Sequence, residues 1–143
     1  MVDWARLEAV VEELLTIYEV FAPPIPVEMI LQTPRDGMWE ELDITQISGS
    51  FLQVGVGYSV RMPIARVLAR HITRSEWGIS RGVNAAVTDE PTLHAFARIL
   101  VMPAHMVMEL KEDARTPDLL AAHFEIPVDD ARMRLQDLSA YSA

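Results

Sequence analysis

Nine prolines partition this chain of 143 residues, and their positions limit its elements more tightly than any other feature. Proline lacks the N–H that continues a helical ladder and biases the residue before it toward extended backbone. Each one therefore marks a boundary or a first turn. Asp3 is placed to cap a helix in which Trp4, Leu7, Val11, Leu14, Tyr18 and Phe21 recur at three- and four-residue spacing. Ala22-Pro23-Pro24-Ile25-Pro26 ends that helix, and Val27–Leu31 reads as a short one. The later prolines predict helices from Pro63 to about Trp77, from a Thr88 or Asp89 cap with Pro91 in the first turn to Met102-Pro103, and from Ala104 to about Glu112. Thr116-Pro117 opens another through Phe124, and after Ile126-Pro127 the last runs from Val128 to Leu138. Ile64, Val67, Leu68, His71 and Ile72 share one face of the central helix, while Leu93, Phe96, Ala97 and Leu100 face inward on the next. Ile79–Val87 reads as a loop.

Between the Pro34–Gly37 turn and Pro63 the period changes. In Phe51–Arg61 the apolar Leu52, Val54, Val56, Tyr58 and Val60 alternate with Gln53, Gly55, Gly57, Ser59 and Arg61, a period of two that predicts a strand with one buried face. Met38–Ile44 is a second, weaker strand candidate. The expected fold class is α+β: one mostly helical domain over residues 1–143 around a small antiparallel sheet. No repeat, low-complexity segment or linker divides it.

With half of its residues hydrophobic the chain can bury a core. Its 12 Lys and Arg against 21 Asp and Glu give a net charge of −9, which repels nucleic acid and anionic membrane surfaces unless a local basic patch exists. The absence of cysteine excludes disulfides, thiolate catalysis and Cys-ligated metals. Acidic residues interrupt the apolar runs of the N-terminal MVDWARLEAVVEELL before they reach the length of a signal or membrane segment. A cytoplasmic protein without membrane contact is expected, and its hydrophobic content allows a homodimer through an apolar surface.

No HExxH, GxSxG, GxxxxGK[ST] or GxGxxG occurs. Glu90 with His94, and His105 with Glu109, stand four apart and would each present two metal ligands on one helix face, although surface pairs of this kind are common and usually solvated. His71 falls on an apolar face, where a ring nitrogen bonded to a backbone carbonyl is the ordinary outcome. Residues 119–135 have the outline of a helix-turn-helix, with Ala122, Phe124, Ala131 and Leu135 inward within a helical pair at 117–138. Asp129 and Asp130 stand where phosphate would be met, offset only by Arg132 and Arg134, so nucleic-acid binding is not expected. Met102, Met106 and Met108, with Val101, Val107 and Leu110, form an apolar patch read mainly as core.

The segment order resembles a known family. Glu90-Pro91-Thr92-Leu93-His94-Ala95-Phe96-Ala97-Arg98-Ile99-Leu100-Val101-Met102-Pro103 is similar to the E-x-x-A-N-x-F-A-x-x-L-L-M-P of the ImmA/IrrE (DUF955) zinc metallopeptidases, which cleave helix-turn-helix repressors. Ile25-Pro26-Val27, Leu120-Ala121-x-x-Phe124 and Arg134-Leu135 extend the resemblance over about residues 5 to 138. It implies a zincin-like domain. The family's catalytic helix reads roughly R-F-T-L-A-H-E-L-G-H, whereas this chain has Arg66-Val67-Leu68-Ala69-Arg70-His71-Ile72-Thr73-Arg74. On that alignment Arg70 and Arg74 replace the two zinc-binding histidines, His71 replaces the general-base glutamate, and Glu90 retains the third ligand. A guanidinium offers no lone pair to a metal. The resemblance thus implies a degenerate site at Arg70, His71, Arg74 and Glu90, no catalytic residues, no cofactor, and a regulatory module that binds a protein such as a helix-turn-helix repressor. Arg70 or Arg74 would pair with Glu90 in place of the metal. The alternative is a divergent zinc peptidase with relocated ligands His71, Glu90 and His94.

Overall fold

The computed structural model describes residues 2–40 and 57–142. The Asp3 carboxylate accepts from the Arg6 amide and caps α1 (Trp4–Ile17), whose Leu7, Val10, Val11, Leu14 and Leu15 are buried. The helix stops about one turn before the apolar spacing predicts. Tyr18 is its C-cap and Glu19 is left-handed with φ 56°, so Phe21 leaves the stripe and is 70% exposed. Tyr18 stays buried because its hydroxyl donates to the Thr33 carbonyl at 2.6 Å. That bond ties the end of α1 to the end of α2 (Val27–Gln32), which follows Pro26 as predicted and buries Val27, Ile30 and Leu31.

The α+β expectation is overturned. Gly57–Arg74 is a single 18-residue helix, α3, and it takes in the second half of the segment that alternation assigned to a strand. Residues 51–56 and 41–44 of the two strand candidates lie outside the described residues. Met38, Trp39 and Glu40 are not in a strand, and among the described residues there is no strand and no sheet. A zincin-like arrangement around a sheet therefore does not describe this helical domain. The reason is local. From Met62 onward the buried positions Met62, Ile64, Ala65, Leu68, Ala69 and Ile72 follow helical rows. Extending a formed helix by one residue is far easier than nucleating a new element, so the ladder continues back through Pro63 to Gly57. Pro63 lies inside the helix instead of opening it, at the expense of one hydrogen bond.

α3 ends at Arg74, short of the expected Trp77; α4 (Glu76–Ser80) follows it and reaches into the stretch expected to be a loop, which also contains α5 (Val83–Ala86). The turn into α4 is tight: the Ser75 hydroxyl donates to the Ile72 carbonyl and accepts from the Gly78 amide. A Cβ at Gly78 would lie 1.8 Å from the Ile72 oxygen, so only glycine fits. Asp89 caps α6 (Glu90–Val101), as expected. α7 is shorter than expected (Ala104–Met108), and a 3₁₀ turn at Glu112–Ala114 follows it. Thr116 caps α8 (Pro117–Phe124), and a left-handed Glu125 leads into α9 (Val128–Ser142).

The centre of the domain is the packing of α3 on α6, with α2 against α3, α1 against α5 and α6, and α9 against α6 and α8. Ala65 and Ala69 on α3, with Ala97 on α6, are fully buried, and small side chains let the helix axes approach closely. Val101, Met102, Met106 and Val107 are core residues, with Met108 exposed. No helix among the described residues is long and apolar enough to cross a membrane.

One charged pair lies inside this core. Arg134 of α9, 0% exposed, donates from Nη2 to the Glu8 carboxylate of α1 and from Nε to the Met102 carbonyl at 2.8 Å. Glu8 Oε1 accepts from the Ala104 amide at 3.0 Å. Removing one member of a buried pair strands the other charge, typically at about 3–5 kcal/mol, whereas replacing both with apolar residues of similar size is often neutral. Arg134→Met should therefore lose about 3–5 kcal/mol in urea denaturation, and Glu8→Leu combined with Arg134→Met should regain a large part of it. A loss in the double variant equal to the sum of the losses in Glu8→Leu and Arg134→Met would show that the two charges are not coupled.

Candidate functional site

Residues four apart lie on one face of a helix, so Arg66, Arg70 and Arg74 form a row on α3, and Glu90, His94 and Arg98 form one on α6. Arg70 meets Glu90 at the start of α6, while Arg66 acts on His94 further along, so the two rows run antiparallel. Arg70 Nη1 and Nη2 donate to Glu90 Oε1 and Oε2 at 2.8 and 3.0 Å, the two-pronged pairing that a planar guanidinium makes with a carboxylate. His94 Nε2 stands 3.6 Å from Glu90 Oε2. The hydrogen bonds from Arg70 hold the Glu90 carboxyl below its ordinary value, and the same partner raises Arg70. Asp89 is also held low, by the Thr92 hydroxyl and then by the Thr92 amide it caps.

Burial, followed by the charge of Arg66, lowers the pKa of His94, and Glu90 only partly opposes this. Two further ion pairs bind α9 to these rows. Arg98 Nε and Nη2 donate to Asp137 at 2.7 and 3.2 Å, with both side chains nearly buried. Arg66 Nη2 lies 3.8 Å from Asp130, whose carboxyl burial pushes up against the pull of Arg66 and Arg98. A polar seam thus runs along the meeting line of α3, α6 and α9.

Of the predicted site residues, the structure brings together Arg70, Glu90 and His94. Arg74 borders the same cleft, which is lined also by Thr73, Thr88, Asp89 and Leu93, but makes no ion pair among the described residues. His71 belongs elsewhere. It is half-buried in a separate hollow with Met38, Trp39, Glu40 and Glu76, where burial and then Arg74 lower its pKa. It is half-buried rather than a core residue and makes no hydrogen bond to a backbone carbonyl among the described residues, and the set His71, Glu90 and His94 is not gathered: among the described residues no three His, Asp or Glu side chains are grouped to hold a metal.

The donors at the degenerate positions do not fit zinc either. Arg70 and Arg74 have no lone pair to give, and both Glu90 oxygens are engaged by Arg70. His105 and Glu109 are both exposed. In the helix-turn-helix outline, Leu120, Ala121 and Phe124 are buried while Ala122 is exposed, Leu135 is only partly buried, and Leu138 closes the core. Neither arginine credited to that segment is free. Arg132 pairs with Asp129 at 2.7 Å, and Arg134 is sealed against Glu8.

The Arg98–Asp137 and Glu8–Arg134 pairs are absent from the sequence reading. Their signal is a charge at a core position of a helical stripe. Arg98 interrupts Phe96-Ala97-Arg98-Ile99-Leu100, and Arg134 stands between Ala131 and Leu138 at helical spacing. No protein-family model, no curated protein and no solved structure matches this chain.

A carboxyl with a folded-state pKa below its unfolded value contributes stability above the unfolded pKa and loses it as pH falls through the folded one. In a carbon-13 NMR titration the Glu90 carboxyl should therefore have a midpoint below 4.5, and Arg70→Gln should move that midpoint upward. An unchanged midpoint in the variant would mean that Arg70 and Glu90 are not paired in solution.

Proposed function

We propose that this chain is a catalytically inactive, metallopeptidase-like regulatory module that works by binding a protein partner; its resemblance to ImmA/IrrE sequences points to a helix-turn-helix repressor or another regulatory protein. The observation that carries this reading is the two-pronged Arg70–Glu90 bond. Glu90 is the one residue of the implied ligand set that this sequence retains, and its oxygens are occupied by a residue that cannot ligate. The positive charge of the guanidinium stands where the resemblance places a divalent cation, so the carboxylate keeps a counter-charge without any metal chemistry. The segments that carry the resemblance most closely, α6 with the following Met102-Pro103 and the α8–α9 pair, are helices here.

The test is elemental analysis for zinc, manganese and iron on protein purified without chelator or affinity tag, alongside Glu90→Ala and a peptidase assay on a helix-turn-helix repressor. The expected result is metal far below one per chain in both proteins and an intact repressor. One metal per chain that is lost in Glu90→Ala, together with cleavage, would overturn the reading.

A further inference from the structure

The cleft between the C-terminal end of α3 and the N-terminal end of α6 has a volume of about 340 Å³. Nearly every polar group on its walls is already committed. Glu90 is held by Arg70, the Asp89 carboxylate by the Thr92 amide, and the Thr73 hydroxyl donates to the Ala69 carbonyl. Arg74 is the charged exception. It is exposed, and among the described residues it makes neither a hydrogen bond nor an ion pair, although Glu40 and Glu76 border the hollow on its other side. Thr88 also lines the cleft, and its hydroxyl makes no hydrogen bond among the described residues, while the nearly buried Val87 and Leu93 supply an apolar part of the wall.

We propose that this cleft binds a single carboxylate of the protein partner, with the Arg74 guanidinium as its anchor. The proposal rests on the non-catalytic reading above, because a metal on Glu90 would release Arg70 into the cleft. A guanidinium without a partner among the described residues presents a planar fork that matches a carboxylate, and Thr88 adds a neutral donor. The neighbouring Asp89 and Glu90 carboxylates decide the charge of the ligand. They oppose a phosphate dianion more strongly than a monoanion, and the net charge of −9 repels any polyanion. The apolar wall favours an aliphatic residue beside the carboxylate. The chemistry expected is therefore one acidic side chain, or a chain-terminal carboxylate, next to a Val or Leu.

The experiment is an NMR titration of the nitrogen-15-labelled full chain, with its metal content measured on the same batch before EDTA treatment. The probes are acetyl-Val-Leu-Glu-amide, its Gln counterpart, and acetyl-Val-Leu with a free C-terminus. The expected result is saturable shifts at Thr73, Arg74, Thr88 and Glu90 with the carboxylate probes, about tenfold weaker binding of the Gln peptide, and a similar loss in Arg74→Gln at unchanged melting temperature. Tighter binding of the free-terminus peptide supports the proposal and assigns the ligand to a chain end, and tighter binding of the Glu peptide supports it and assigns a side chain. Equal binding of the Glu and Gln peptides, shifts confined to other surfaces, or an unaffected Arg74→Gln would overturn it. Any of these in a metal-free batch overturns the cleft alone, whereas stoichiometric metal before EDTA overturns the functional reading beneath it.

Discussion

Glu8 and Arg134 are 126 residues apart in sequence and meet in the core. Opposite charges removed from water must stay together, because separating them in a low-dielectric interior leaves each without compensation. The pair also serves the backbone. Arg134 satisfies the Met102 carbonyl and Glu8 satisfies the Ala104 amide, on either side of Pro103 where α6 ends and α7 begins. Helix ends leave such groups without intrahelical partners, and here the first and last long helices supply them. α1, the α6–α7 break and α9 are thereby held in one register. Apolar residues of equal volume would fill the space, but they would leave those two backbone groups without these partners.

The outer seam is built on the position this node gives α9. With α9 held against α6, Asp137 reaches Arg98 and Asp130 reaches Arg66, while Arg70 spans from α3 to Glu90. The three contacts differ in weight. Arg98–Asp137 is nearly buried and doubly bonded, so it is weakly screened, whereas Arg66–Asp130 is longer and Arg70–Glu90 is exposed to solvent and salt. The exposed pair matters for what it does to the site rather than for stability. It neutralises Glu90 and holds α3 beside the start of α6, while Arg74, one turn beyond, has no ion-pair partner among the described residues.

Caps and helix faces were legible where their causes are local. Asp3, Asp89 and Thr116 each accept a hydrogen bond from an amide three residues on, an arrangement readable from residue type and position. The inward face of α6 was legible too, since Leu93, Phe96, Ala97 and Leu100 repeat at helical spacing and all are buried. Gly57–Arg61 was misread because five alternating residues look like a strand until the helix beginning downstream extends through them. His71 was misplaced by one position. The fully buried rows of α3 run through Leu68, Ala69 and Ile72, leaving residue 71 at the edge in its own hollow. Of the candidate site, the possible pairing of an α3 arginine with Glu90 could be stated in advance, but the choice of Arg70 over Arg74 depends on how far α3 slides along α6.

Residue order and type were enough to set much of the local grammar of this protein: the caps Asp3, Asp89 and Thr116 and the prolines at 26, 91, 103, 117 and 127 stand at helix boundaries, although Pro63 lies inside α3, and apolar spacing chooses most buried faces, because these effects act over one or two turns. The pairing of distant charges was settled by packing. Glu8 with Arg134, Arg98 with Asp137, and Arg70 with Glu90 follow from the angle and register at which helices meet, which depend on side-chain volume summed over the whole core. An arginine in a helical stripe looks the same in sequence whether it ends in a core, in an ion pair or in an open cleft, and Arg134, Arg70 and Arg74 are the three outcomes.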